Sequence, residues 1–492
     1  MTTFEETQVR GRNPIAESIA GFFGAIGNAF RRFGTAVAKG DLFVKLSLIW
    51  WGAGYLKRKQ YIKCIIYTLL EIGVILFTTN FAVKYVSKFD TLGTVQAEQV
   101  FNVNTMKNEW NDYDNSFMIL LFSLFSFVVW AVALVVWFNN IIHVYDLQKA
   151  AENGEHINSF KEDMHAYLEE KFYITTLTVP ILGIVIFTVI PILLLILVAF
   201  TNYDSQHMPP TKLFTWVGMT NFKNLLSSGG ITITFGYAFR KVLGWTLVWA
   251  FFATFTTYIG GILLSLLLNS KKTIAPKFWR LLFVITIAVP QFVSLLLVRN
   301  FFSNGGIVNT ICANIGLTAW LRSIGWISTS YIPFLSAPIW AHVTIIVINI
   351  WIGLPYAMLI DTGVLMNLPS DQLESATVDG ANATQVFRYI TMPYLLFVTG
   401  PNLITDFVHN INNFNVIYLL TSGVYVTTDQ AMANSQAREV DLLVTWLFSL
   451  TQDYYNYKMA AVIGIMIFII CAVFTLIAFN FAIRGDKEGS YN

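Results

Sequence analysis

Charge is what this 492-residue chain has least of: Asp, Glu, Lys and Arg together make up 12% of it. A soluble domain usually carries about 25%, so an ordinary water-facing globular protein is excluded. The net charge of +2 marks no class of partner, and no nucleic-acid partner is expected. Cysteine is scarce too. Cys64, Cys312 and Cys471 lie in or beside apolar stretches with no ligand spacing, which excludes a disulfide framework and a cysteine metal site. The six histidines form no H-E-x-x-H pattern, and His143, His156 and His165, around one polar loop, read as solvated rather than metal-bound. No G-x-x-x-x-G-K-[ST] phosphate loop occurs, so the chain is not expected to hydrolyse ATP or to be an enzyme. The first 40 residues lack a compact apolar core, and no cleavable signal peptide is expected.

Hydrophobic residues, by contrast, make up 55% of the chain, and the mean hydropathy is +0.59. Several runs exceed the roughly 20 apolar residues that cross a bilayer as a helix. The reading is an all-α polytopic membrane protein with eight spans, near 61–83, 116–138, 173–200, 242–268, 281–303, 338–362, 394–420 and 459–483. Ahead of them Ile15, Ile19, Phe22, Phe23, Ile26, Phe30, Phe33 and Val37 recur at helical spacing, with Arg31, Arg32 and Lys39 nearby. That pattern suits an amphipathic helix, lying on the membrane surface or against the protein's own cytoplasmic side. The short apolar segment 42–56 reads as interfacial or re-entrant. With the N-terminus inside, the inner segments hold 20 Lys and Arg and the outer ones 11. Both termini are therefore expected in the cytoplasm.

Two polar features break the apolar background. One is the island 371–393 between the sixth and seventh spans, which the orientation places in the cytoplasm. Pro369 and Ser370 read as a helix start, and Asp371 with Glu374 has the spacing of a capping box. Gly380 can end that helix at positive φ. Asn382 can cap a second helix with Gln385, and Pro393 fits the start of the next span. The other feature is a set of polar side chains inside the spans. Asn349, Trp351 and Gly353 lie in the sixth; Asp406, His409, Asn410, Asn412 and Asn413 lie in the seventh. Positions 406, 409, 410 and 413 share a helical face. Amides suit sugar hydroxyls and aromatic faces suit the apolar side of a pyranose, although bundle amides also serve to bridge helices. Glu71 reads as a packing or interfacial carboxylate, and Asp361 as wetted at the cytoplasmic end of its span.

Glu374-Ser375-Ala376-Thr377-Val378-Asp379-Gly380, followed after nine residues by Ile390-Thr391-Met392-Pro393, resembles the E-A-A-x3-G-x9-I-x-L-P motif of bacterial ABC-importer permeases. Ser375 replaces Ala and Met392 replaces Leu. The resemblance extends over about 170–484. Phe172 to Tyr203, Trp216-Val217-Gly218-Met219-Thr220-Asn221-Phe222 and Gly306-Ile307-Val308-Asn309 resemble segments of sugar-importer permeases. Asn349 to Tyr356 and Asn410 to Gly423 look like the sixth and seventh spans of the larger permease of maltose/maltodextrin importers. Lys45 to Lys63 looks like the Gram-positive form of that subunit. The large external domain of the enterobacterial form has no counterpart in 201–241.

The resemblance implies a division into an N-terminal cytoplasmic or interfacial segment (1–60), two accessory helices (61–169), a six-helix permease core (170–484) and a cytoplasmic tail (485–492). It implies that Asn349, Ile352, Gly353, His409, Asn410 and Asn413 line a sugar site, His409 standing where one compared member of the family has Phe. It implies that Glu374, Ser375, Ala376, Gly380, Ile390 and Pro393 belong to a loop that docks on a separate ATPase. The implied partners are a second homologous permease, an ATPase dimer carrying ATP and Mg, an extracellular sugar-binding protein, an oligosaccharide and membrane lipid. No cofactor is expected on this chain. The alternatives are a permease for another oligosaccharide and an ion-coupled secondary transporter, for which Asp406 is the one plausible coupling group in the core.

Overall fold

The computed structural model describes residues 14–103, 106–227, 235–270 and 272–489. Residues 1–13 of the expected N-terminal segment and 490–492 of the expected tail lie outside it, as do the side chains of Ile15, Ile19 and Phe22. Helices account for nearly all the regular structure. This is what hydrocarbon demands, since a helix satisfies its own backbone where no water can. A two-stranded antiparallel sheet, Gln99–Asn102 with Lys107–Trp110, is an addition that the all-α reading did not foresee.

Among the described residues six helices are long and apolar enough to cross a membrane: Tyr61–Val86, Ser116–Glu152, Phe172–Val198, Phe235–Asn269, Pro338–Met366 and Tyr457–Asn480. A seventh span arises only if Pro276–Ala288 and Gln291–Phe301, bent by 94° to each other, count as one. The expected eight is therefore not reached by this measure, for two physical reasons. At the first break Pro290 cannot continue the helix, and it drives Val289 into extended backbone at ψ 126°. At the second, the run expected as 394–420 is two helices, Met392–Ile411 and Phe414–Thr421. Asn413 leaves helical geometry at ψ 89° and caps the second helix by accepting from the Val416 amide. The polar groups of Met392–Ile411 also dilute its hydropathy below that of the other spans.

The chain divides into two compact units, 1–195 with 208–216, and 196–207 with 217–492. In the first, the Pro14–Lys39 helix lies against Ser116–Glu152: Phe33 stacks on Phe138 with ring centroids 4.5 Å apart, and Arg32 pairs with Asp146 at 2.6 Å. Segment 42–56 is two short helices, Leu42–Leu46 and Ala53–Lys57, with Val44 and Tyr55 buried. Glu71 accepts from the Trp51 amide at 3.0 Å, which gives that carboxylate a packing role. In the second unit the Phe235–Asn269 helix packs chiefly on Pro338–Met366. The buried Trp249 and Leu295 join Ile345, Val416 and Leu442 in its core. Trp249 Nε1 donates to the Asn410 carbonyl at 3.1 Å, tying the central helix to the helix that carries most of the polar groups.

Candidate functional site

The second unit holds a cavity of about 510 Å3 with many polar side chains in its wall. Asn349, Ile352 and Gly353 reach it from the Pro338–Met366 helix, and His409 and Asn410 from Met392–Ile411. Asn413 joins them from the break after that helix. All six residues expected at a sugar site thus face one space. Asn412, on the other side, donates to the Val408 carbonyl and toward Cys471 Sγ, away from the group.

The amides form a short relay. Asn413 Nδ2 donates to Asn410 Oδ1 at 3.2 Å, and Asn410 Nδ2 donates to Thr254 Oγ1 at 3.0 Å. Asp406 accepts from Asn402 Nδ2 at 2.9 Å. Gly353 brings two helices together: a Cβ added there would lie 2.8 Å from Thr257 Cγ2. Asp361 also lines the cavity, yet it is buried at 1% exposure rather than wetted, and its Oδ2 has no hydrogen-bond partner. The wall carries Asp361, Asp406 and His409 but no Lys or Arg. It offers hydroxyl-matching donors and acceptors without a cation to hold an anion.

Several wall residues fell outside the sequence reading: Thr254, Thr257, Tyr258, Tyr356 and Gln291. Thr254, Thr257 and Tyr258 follow the i, i+3, i+4 spacing of one helical face, and that polar stripe in an apolar helix was their one available signal. Tyr258 is further fixed by a 2.7 Å bond between its hydroxyl and Thr399 Oγ1.

The other expected site lies on the loop between the two site-bearing helices. The Ser370–Val378 helix begins at Pro369, which has φ −58° and ψ 121°, with no side-chain cap. The capping box expected of Asp371 and Glu374 is not formed, because Asp371 is already inside the first turn. The Asn382–Gln385 box is formed, with bonds of 2.9 and 2.8 Å. Gly380 turns the chain at φ +79°. Pro393 stands in the first turn of Met392–Ile411, as expected of the start of that helix. Backbone helical geometry runs from Ala383 through a π turn at Phe387–Thr391 into Met392–Ile411. The wider π turn leads into the proline, which has no amide hydrogen to donate. Glu374, Ser375, Gly380 and Pro393 are exposed, and Ala376 and Ile390 are half-buried. Val378 and Tyr389, apolar and 88% and 70% exposed, stand on the same loop. Among the described residues no group of His, Cys, Asp or Glu is arranged to hold a metal ion.

Comparison with known proteins gives a consistent picture. The family described as binding-protein-dependent transport system inner membrane component matches residues 258–484. The maltodextrin transport system permease protein MalC of Streptococcus pneumoniae is 31% identical over 440 residues, 89% of this chain and 95% of that protein. The galactooligosaccharides transport system permease protein GanP of Bacillus subtilis is 31% identical over 419 residues, 85% of this chain and 91% of its own length. The maltodextrin transport system permease protein MdxF of Bacillus subtilis is 30% identical over 436 residues, 87% and 93% of the two chains.

Proposed function

Because this chain belongs to the binding-protein-dependent transport permeases, the membrane subunits of ABC importers, we propose that it carries neutral oligosaccharides of the maltodextrin type through the cavity around Asn410. The observation that carries this reading is the convergence of Asn349, Gly353, His409, Asn410 and Asn413 on one space of about 510 Å3 without a Lys or Arg in its wall. That volume is in the range of small-molecule sites. Amides that both donate and accept are suited to vicinal hydroxyls. The names of MalC and MdxF favour α-glucans, while that of GanP keeps galactooligosaccharides as the second candidate cargo.

The chain hydrolyses nothing itself in this reading. A second, homologous permease completes the pathway, and an ATPase dimer supplies the energy. An extracellular binding protein delivers the sugar. Both termini and the loop 371–393 face the cytoplasm, where Glu374, Ser375, Ala376, Gly380, Ile390 and Pro393 form the contact with the ATPase. The helical run from Ala383 to Ile411 spans roughly 40 Å at 1.5 Å per residue. It links that loop directly to His409 and Asn410. Movement of the loop on ATP binding therefore shifts the sugar site as a rigid-body displacement.

The test is uptake of labelled maltotriose and galactotriose by the reconstituted importer, normalised to assembled complex. A lost hydrogen bond to a neutral hydroxyl is worth about 1 kcal/mol, and an orphaned partner more. Asn410→Ala and Asn413→Ala should each lower transport several-fold to about a hundredfold with assembly intact. Full uptake of both sugars by both variants would show the amides to be bridges between helices and place the sugar elsewhere.

A further inference from the structure

The first unit contains a cavity that the transport reading leaves without a role. The chain enters the Tyr61–Val86 helix, returns through Ser116–Glu152 and enters Phe172–Val198, so one end of each helix meets the same membrane face. At those ends the apolar runs give way to polar groups. Lys63 lies in the first turn of one helix, His143 and Asp146 follow the apolar part of the next, and Lys171 directly precedes the third. Together with Arg32 and the Phe160–Leu168 helix they surround about 480 Å3 at the ends of those apolar runs.

The wall holds three strong cations against two carboxylates. Arg32 is engaged by Asp146, and Lys63 by Asp163. Lys171 is exposed, and among the described residues no carboxylate lies within ion-pair distance of it; its ammonium sits 5.7 Å from the Tyr167 ring centroid. Deeper in the wall, Tyr55 is fully buried and stacked on Tyr67, and its hydroxyl lies near that of Tyr67 without a hydrogen bond of good geometry. An unanswered cation and an unanswered buried donor thus line one cavity. Ile66 also lines it, and Ile62, Leu69 and Leu70, exposed on the same face of the Tyr61–Val86 helix, lead from it along the span.

We propose that this cavity binds the phosphodiester headgroup of an anionic phospholipid, with Lys171 facing the phosphate charge, the Tyr55 hydroxyl donating to a phosphate oxygen and the acyl chains lying along Ile62, Ile66 and Leu69. Basic pockets between membrane helices at the headgroup level are suited to such lipids. The site is separate from the sugar cavity, and its occupancy does not depend on which sugar is carried.

The full-length protein purified in detergent should be titrated with phosphatidylglycerol and with phosphatidylcholine and read by native mass spectrometry. One phosphatidylglycerol should be retained in preference to phosphatidylcholine. Removing one cation near a membrane surface is worth about a fivefold loss of affinity, so Lys171→Gln should erase most of the preference. Lys171→Arg should keep it, and Lys212→Gln, an exposed lysine outside the cavity, should leave it unchanged. Tyr55→Phe, which removes only the hydroxyl, should lower retention with the fold intact. Equal retention of the two lipids, or an unaltered preference in Lys171→Gln, overturns the proposal. Displacement of the lipid by millimolar inorganic phosphate, with no contribution from the acyl chains, would identify a free-anion site and overturn the lipid assignment.

Discussion

Single residues in this protein matter where two helices leave no room or where a buried charge has been fully answered. Gly353 is of the first kind. An alanine there would press its Cβ against Thr257 Cγ2 at 2.8 Å, and overpacking of a close contact costs about 1–3 kcal/mol. Gly353→Ala should therefore lower the melting temperature of the detergent-solubilised protein, and Thr257→Ala in the same chain should restore most of it. No rescue would mean that the penalty comes from elsewhere than this contact. Asp114, outside the spans and buried, is of the second kind. Burial alone would raise its carboxyl, but Lys88 at 2.6 Å and the Thr94 and Val95 amides outweigh it and hold the group below its ordinary range. A depressed carboxyl stabilises the fold above its unfolded-state value, about 3.9, and loses that contribution as pH falls through the folded value. Hydrogen exchange at Thr94 and Val95 should speed up on acidification below that range. In Asp114→Asn it should be fast already at neutral pH and show no such step.

At the scale of elements, the loop between the two site-bearing helices is the part to perturb. Gly380 sits at φ +79°, a value closed to proline, whose ring holds φ near −65°. Gly380→Pro should distort the turn, and Glu374→Lys should reverse the charge on the exposed face of Ser370–Val378. Both should leave membrane insertion intact while separating ATP hydrolysis from sugar uptake in the reconstituted importer. Sugar-stimulated hydrolysis with normal uptake in both variants would remove the loop from the coupling path.

The same elements show what was readable in the sequence. The six long apolar helices stood out because hydropathy accumulates over twenty residues. The break at Val289–Pro290 did not, since a window that averages over the proline is still dominated by Leu, Val, Ile and Phe on either side. The break at Asn412–Asn413 was hidden for a subtler reason. Asn413, at the break, also continues the polar face of 406, 409 and 410, so spacing alone read it as helical. The Asn382–Gln385 box was legible because a cap is settled by neighbours three residues apart. The strand pair at 99–110 and the wall residues Thr254 and Thr257 were not, because pairing and facing depend on partners distant in the chain. Glu71 was legible as a packing group, but its acceptance from the Trp51 amide required the fold of 42–56.

For the molecule as a whole, the family places the chain in a membrane, and on the proposed function its energy supply comes from other subunits. The chain by itself should neither accumulate sugar nor hydrolyse ATP. Vesicles holding the complete importer should take up maltodextrin with ATP inside and be indifferent to a protonophore. Uptake by this chain alone that a protonophore abolishes would instead make Asp406 the coupling group of a secondary transporter.

The relay from Asn413 through Asn410 to Thr254 has a consequence for traffic through such a protein. On the proposed function, a sugar hydroxyl arriving there meets amides that each have one N–H already engaged. Where it takes that N–H it exchanges with a bond that already exists, and that bond re-forms when it departs. The net gain per contact is then a small difference between two similar hydrogen bonds. A conduit serves its organism by letting go. Amides that are content with one another make for brief occupancy and quick discharge, and they leave high affinity to a protein whose task is capture.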